Sequence, residues 1–366
     1  MFKIILYIFF LDILSRVLLA SVYGGETNIY NDMNLTYPTD PCVHFDLKMP
    51  DFTALGRRVS EVKCLEYIWR LREQQTSKLR DYECALLKKI PEPSVIGENN
   101  ALNGEYPHMG ALGWKAKIGT WIFKCGGSLI SEKFVLTAAH CYKVPKSDET
   151  VADVYPKIVR LGSRNILDSK LPYDVEILKF IRHPQYKAPQ HYFDIALVEL
   201  KQEVYIHRTV HPACLWNKSD DPKKGNVTGW GVVNSSTLAV SPILQKAEIT
   251  IRDNEECEKD LMIKKNRNWQ GFFRHQLCAG EMSGGIDTCQ GDSGGPLQTL
   301  IPIERYREWA PWYIYHVVGV TSFGFDCGQP NTPSVYTRVT SFLDWIENIV
   351  WQNSTQTQDG RLFFVN

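Results

Sequence analysis

Residues 120–130 read TWIFKCGGSLI, a β-prone run that ends in small and aliphatic residues, and runs of the same kind recur along the chain. KFVLTAA follows at 133–139, KIVRLGS at 157–163, IALVEL at 195–200, GNVTGW at 225–230, LQKAEITI at 244–251, YHVVGVTSF at 315–323 and SVYTRV at 334–339. Turn residues separate these runs, and no series of long helices alternates with them. Many short strands punctuated in this way predict an all-β sandwich or barrel pair and argue against an α/β hydrolase. The run SFLDWIENIVW at 341–351 departs from the pattern, because Phe342, Trp345, Ile346, Ile349 and Val350 fall on roughly one helical face. It is expected to be a terminal helix packed on the β domain.

The 366 residues leave room for one large domain and a smaller appendage. Forty-one basic residues balance 41 acidic ones and form no sustained tract, which argues against a nucleic-acid partner. The first 20 residues, MFKIILYIFFLDILSRVLLA, read as a signal peptide with Ala20 near the cut. Asp12 and Arg16 interrupt its apolar stretch, so no membrane anchor is expected. Ten cysteines and five Asn-x-Ser/Thr sequons, at Asn34, Asn217, Asn226, Asn234 and Asn353, fit a secreted, disulfide-bonded glycoprotein. The cysteines lack the paired Cys-x-x-Cys spacing of a structural zinc site.

Residues 21 to about 40 are rich in Gly, Asn, Thr and Pro and read as a loose terminus. From Ser60 to Lys88 the composition suggests a short amphipathic helix or two, too small for a core of its own and tied down by Cys42, Cys64 and Cys84. PEPSVIGENNALNG at 91–104 then reads as an exposed junction of the kind proteases cut. Residues 352–366 show no periodic pattern and are expected to form a tail.

Three local contexts carry chemistry. His140 sits in VLTAAHC, Asp194 opens DIALVEL, and Ser293 sits in DTCQGDSGGP. A hydroxyl is a weak nucleophile at neutral pH and needs a neighbouring base, and its attack on an amide needs hydrogen-bond donors where negative charge develops. The order His, Asp, Ser in these surroundings resembles the trypsin-like serine proteases of the chymotrypsin superfamily, over approximately Val95 to Trp351. The resemblance implies two packed six-stranded β-barrels with a C-terminal helix and a short N-terminal propeptide. It divides the chain into a signal peptide (1–20), a propeptide or light chain (21–94), a peptidase domain (95–351) and a tail (352–366). It also implies a secreted serine endopeptidase made as a zymogen and working through an acyl-enzyme, with His140 as base, Asp194 as its orienting partner and Ser293 as nucleophile. The backbone N–H groups of Gly291 and Ser293 would form the oxyanion hole.

The same resemblance places Asp287 at the base of a specificity pocket for Lys or Arg, and Ser322, Phe323 and Gly324 along the substrate backbone. Ser334 in TPSVYTRV stands where glycine is usual, and its side chain is expected to favour the thin Lys stem over Arg. Asp292 would bind the new α-amino group of Val95 after cleavage at Ser94-Val95, although Ser94 replaces the usual basic residue and VIGE replaces IVGG. The implied disulfides are Cys125-Cys141, Cys257-Cys278, Cys289-Cys327, Cys84-Cys214 as the light-chain tether, and Cys42-Cys64. GEYPHMGALGW at 104–114 resembles insect snake-type, venom and clip-domain proteases, but three cysteines before Val95 do not make the six of a clip module. No cofactor or metal is expected, since LGSRNILDSKLP supplies no convergent oxygens for calcium. Expected partners are polypeptide substrates, an activating protease and serpin-type inhibitors. The reading from a different class is a catalytically inactive protease-like binding or regulatory protein, which the altered junction and Ser334 keep open.

Overall fold

The computed structural model describes residues 35–88, 104–168, 173–234, 239–281, 292–301, 313–325, 332–352, 354–356 and 362–364, with 232–234, 239–240 and the last two stretches described by backbone alone. In chain order the elements are α1 (Val59–Leu87), β1 (Met109–Lys115), β2 (Trp121–Leu129), β3 (Phe134–Thr137), β4 (Ile158–Leu161), β5 (Tyr173–Arg182), β6 (Ala196–Leu200), β7 (Cys214–Leu215), β8 (Lys224–Gly229), β9 (Val232–Asn234), β10 (Ala239–Val240) and β11 (Gln245–Arg252). They continue with α2 (Asn254–Asp260), β12 (Gln276–Ala279), β13 (Pro296–Leu300), β14 (Tyr315–Phe323), β15 (Ser334–Arg338), α3 (Leu343–Val350), β16 (Ser354–Gln356) and β17 (Leu362–Phe364).

The strands form two antiparallel barrels of the chymotrypsin type. The first runs β1-β2-β3-β6-β5-β4 and closes where Gly110 to Gly113 of β1 pair with Leu161 to Ile158 of β4. The second runs β13-β8-β11-β12-β15-β14 and closes through β13 and β14, with β7 added parallel to β14. Small residues permit the tight closure: a Cβ at Gly113 would lie 2.7 Å from Ile158 Cγ1. Closure leaves neither barrel with a long open edge, which is how short strands avoid pairing with other chains.

Leu112, Trp114, Leu129, Val135, Leu136, Val159 and Leu197 fill the first barrel, and Val227, Ile249, Leu277, Leu297 and Tyr336 fill the second. The terminal helix expected from 341–351 forms after a 3-10 turn (Val339–Phe342), and Phe342, Leu343 and Ile346 join the core of the first barrel. Beyond it the chain is not a featureless tail, for β16 pairs antiparallel with β17, each strand being too short to show a sequence period.

The Ser60 to Lys88 segment is one helix of 29 residues. Its first half is buried on several sides, through Val59, Val62, Cys64, Leu65, Tyr67, Ile68, Trp69 and Leu71, so no single apolar stripe marks it. Arg58, just before it, bonds Glu347 of α3 through Nε at 3.0 Å and Nη2 at 2.7 Å, and the Ser60 hydroxyl donates to the same carboxylate at 2.5 Å. Arg70 pairs with Glu132 at 2.8 Å. At the far end Arg80 donates to the carbonyls of Pro38, Asp40 and Val43 and folds the preceding strand of chain back along the helix.

This geometry overturns the expected Cys84-Cys214 and Cys42-Cys64 pairs. The bonds are Cys64-Cys214, with Cα atoms 5.1 Å apart, and Cys42-Cys84, at 4.9 Å. The cause is the length of the helix. Cys64 lies in the buried first half that packs on β7, whereas Cys84 is about 30 Å further along the axis, where the folded-back segment carrying Cys42 meets it. Cys125-Cys141 and Cys257-Cys278 form as expected, and Cys289 and Cys327 lie outside the described residues. Peptide mapping without reduction should therefore yield Cys64 linked to Cys214 and Cys42 linked to Cys84; recovery of a Cys84-Cys214 peptide would contradict this packing.

Candidate active site

His140 lies in a 3-10 turn (Ala139–Tyr142) directly after β3, and the Cys125-Cys141 disulfide ties that turn to β2. Asp194 precedes β6 and is 1% exposed. Its carboxylate meets His140 twice: Oδ1 accepts the backbone N–H at 2.9 Å, and Oδ2 lies 2.8 Å from ring Nδ1. A carboxylate can only accept, so Nδ1 carries the proton and Nε2 of the neutral ring presents a lone pair.

The second barrel also holds Asp194. Ser322, near the end of β14, donates its hydroxyl to Oδ2 at 2.5 Å, and Thr337 of β15 donates to the Asp194 carbonyl at 2.8 Å. Burial disfavours the charged carboxylate, but the His140 charge and the hydrogen bonds from His140 and Ser322 outweigh it and hold the pKa below the ordinary value. For His140 burial likewise opposes the charged ring, and the Asp194 charge and hydrogen bond outweigh it, so that pKa is raised. A third of the His140 side chain remains exposed, at 33%, so the ring is open to solvent.

Ser293 sits in the turn that leads into β13, and its carbonyl accepts the Gly126 N–H of β2 at 2.8 Å. Cys141 Sγ lies 3.7 Å from His140 Nε2 and 3.8 Å from the Ser293 carbonyl oxygen, so the imidazole and the serine residue flank the same sulfur. Gly294 has φ 78°, and a Cβ there would strike Thr137 Oγ1 and come within 2.6 Å of Gly126 O. Its N–H donates to Thr321 O at 2.8 Å, and Thr321 N–H donates to Gly295 O at 2.9 Å, which locks the turn to β14. Asp292, next to the serine, accepts the Gly231 N–H at 3.0 Å, and a Cβ on either Gly229 or Gly231 would overlap its carboxylate.

Phe323 is half-buried against Trp269 and stacks on His191 with centroids 4.2 Å apart, while Gly324 is exposed. Ser334 is fully buried in β15, opposite Ala279. Asp287, Gly291, Ser94, Val95, Asn34 and Asn353 lie outside the described residues, and Asn234 is described only by its backbone. Asn217 uses its amide to bond Glu61 of α1 at 3.0 Å, and Asn226 lies within β8. Sequence reasoning missed the grip of Ser322 and Thr337 on Asp194, and also the Gly229 and Gly231 slot around Asp292. The only signal for the slot was the Gly-Trp-Gly spacing.

Two variants test this arrangement. Asp194→Asn places an amide donor beside Nδ1 in place of one carboxylate oxygen, which favours the wrong His140 tautomer, and should lower kcat by roughly 10³ to 10⁴, as steady-state kinetics would show. Gly294→Ala should cost about 1–3 kcal/mol of stability in denaturant unfolding, because the added carbon meets backbone that cannot yield.

Comparison with known proteins agrees with this geometry. The family model described as Trypsin matches residues 95–346. Serine protease snk of Drosophila melanogaster is 37% identical over 317 residues, covering 83% of this chain and 68% of that protein. Serine protease Hayan of the same organism is 40% identical over 258 residues, 69% of this chain but 38% of its own length. The clotting factor G beta subunit of Tachypleus tridentatus is 35% identical over 269 residues, 71% of this chain and 81% of that one. Among solved structures, neuropsin, a serine protease expressed in the limbic system of mouse brain, aligns with a TM-score of 0.53 at 30% identity, over 68% of this chain and 96% of its own. The chain belongs to the trypsin family of serine proteases.

Proposed function

We propose that this serine endopeptidase is secreted as a zymogen and cleaves polypeptides after Lys or Arg, with His140, Asp194 and Ser293 as its triad. The observation that carries the reading is the buried Asp194 carboxylate bonded to both His140 N and Nδ1, which leaves Nε2 basic in the cleft beside the Ser293 turn. His140 takes the Ser293 hydroxyl proton as the oxygen attacks the peptide carbonyl. The proton then passes to the leaving amine as the C–N bond breaks, and water releases the acyl group by the reverse path. The N–H groups of Gly291 and Ser293 stabilise the oxyanion. No cofactor enters this chemistry.

Activation follows a cut at Ser94-Val95 by a protease that accepts small residues, and the Val95 ammonium then meets Asp292. The slot between Gly229 and Gly231 supports this role, since it admits a carboxylate where any side chain on either glycine would exclude it. Domain boundaries follow: a signal peptide to residue 20, a light chain to Ser94, the peptidase domain to Trp351 and the short remainder. The Cys64-Cys214 bond retains the light chain after the cut. Secretion is supported by the disulfides and the apolar leader, and no described helix is long and apolar enough to cross a membrane.

Asp287 pairs with the substrate cation, and buried Ser334 narrows the pocket. Matched peptides should be cut faster after Lys than after Arg by about fivefold, equivalent to about 1 kcal/mol of crowding; a strong Arg preference would reject this role for Ser334. Treatment of the processed protein with an active-serine probe, followed by mass-spectrometric mapping, tests the reading as a whole. Labelling of Ser293 on a chain beginning at Val95 is expected. An unlabelled Ser293 on that chain, with a known serine protease labelled in parallel, would favour the noncatalytic alternative.

A further inference from the structure

Phe193, immediately before Asp194, is the only non-glycine residue with a left-handed backbone among the described residues, with φ at 56°. A bulky aromatic residue rarely adopts this conformation, and it persists only where the surroundings outweigh its cost. The Ile195 N–H donates to the Phe193 carbonyl at 2.9 Å, so Asp194 is the centre of a three-residue turn. The direction in which the carboxylate leaves the chain therefore depends on the conformation at Phe193.

Two imidazoles hold that conformation. His275, just before β12, accepts the Phe193 N–H on Nε2 at 3.2 Å, and its ring stacks on the Phe193 ring at 4.2 Å. His183, just after β5, lies nearly parallel to the Phe193 ring at 5.5 Å, and its backbone N–H donates to Ile195 O at 3.0 Å. Phe342 stands edge-on to both imidazoles, and Trp345 edge-on to His183. His275 can accept on Nε2 only as a neutral ring protonated on Nδ1. Burial, with the charge of His183 adding to it, lowers its pKa to about 4 and keeps it neutral.

We propose that His275 is a positioning residue for catalysis: by accepting the Phe193 N–H and stacking on Phe193, it holds the left-handed turn that delivers the Asp194 carboxylate to His140. The inference rests on His140 and Asp194 being the catalytic pair. It assigns the second barrel a third hold on the aspartate, beside Ser322 and Thr337, and this one acts through the neighbouring residue. A small displacement matters because three donors converge on one carboxylate at 2.5 to 2.9 Å.

The test uses the full-length, proteolytically processed enzyme, after labelling of Ser293 in the wild type has established the catalytic reading on its own. His275→Phe keeps an aromatic stack and removes the acceptor. It should lower kcat by about tenfold or more with KM changed less than about twofold. It should also move the acid limb of kcat/KM to lower pH and shift the low-field proton resonance of the His140 Nδ1–H, because His140 loses part of the Asp194 interaction. Phe193→Gly, free at positive φ, should make the turn less dependent on His275, so that adding His275→Phe to it costs less than about threefold. A His275→Phe enzyme with lowered melting temperature but unchanged kcat, acid limb and low-field resonance would overturn the proposal, as would an equal loss in the Phe193→Gly background. Should His275→Phe fail to fold, His275→Leu, which also lacks an acceptor, replaces it, with the same expected displacements and the same contradicting result.

Discussion

Asp194 carries a buried negative charge at the junction of two barrels, and much of the site follows from how that charge is satisfied. An uncompensated buried carboxylate costs several kcal/mol or takes up a proton. Here His140 bonds it from the first barrel and Ser322 from the second, and Thr337 takes the backbone carbonyl. The same interactions that make the charge tolerable also fix the imidazole tautomer. Structural satisfaction and chemical activation are one arrangement, so weakening either barrel's hold weakens both.

The Ser293 turn obeys a complementary constraint, which is lack of space. Gly126, Gly294 and Gly295 let β2, the Ser293 turn and β14 approach so closely that backbone groups of each satisfy the others. Gly229 and Gly231 open the slot for Asp292 on the far side of the same turn. The serine is thus carried by a short loop pinned from both barrels. α1 is fastened to the strands and to α3 by Cys64-Cys214, by the half-buried Arg58 and Glu347 pair and by burial of Val59 and Val62 beside Trp351. Burying each such aliphatic side chain stabilises by about 1.5–3 kcal/mol, so this helix is held by packing as well as by a covalent bond.

The barrels and the pairing of His140 with Asp194 could be read from the sequence because their signals are local. Strand runs alternate with turn residues, and each of His140, Asp194 and Ser293 stands in a distinctive neighbourhood. The disulfide partners of Cys64 and Cys84 could not be read in this way, because the choice depends on a helix about 44 Å long by the standard rise, which presents its two cysteines at separate places. That helix itself was only partly legible, since burial on several faces erases the single-stripe period. For Ser322 the family resemblance implied substrate contact, while its bond to a residue 128 positions away leaves no local trace. Phe193 gave no warning at all, because phenylalanine is not a residue from which a left-handed backbone is expected.

Asp194 overcomes the effect of burial and makes His140 a stronger base than a free imidazole. Titration of histidine-labelled, processed enzyme by NMR, with His140 assigned by substitution, measures this directly in the wild type and in Asp194→Asn. A His140 midpoint above about 6.5 that falls below it in Asp194→Asn, where burial alone remains, is the predicted result. A wild-type midpoint at or below the ordinary value, or one that Asp194→Asn leaves in place, would contradict it.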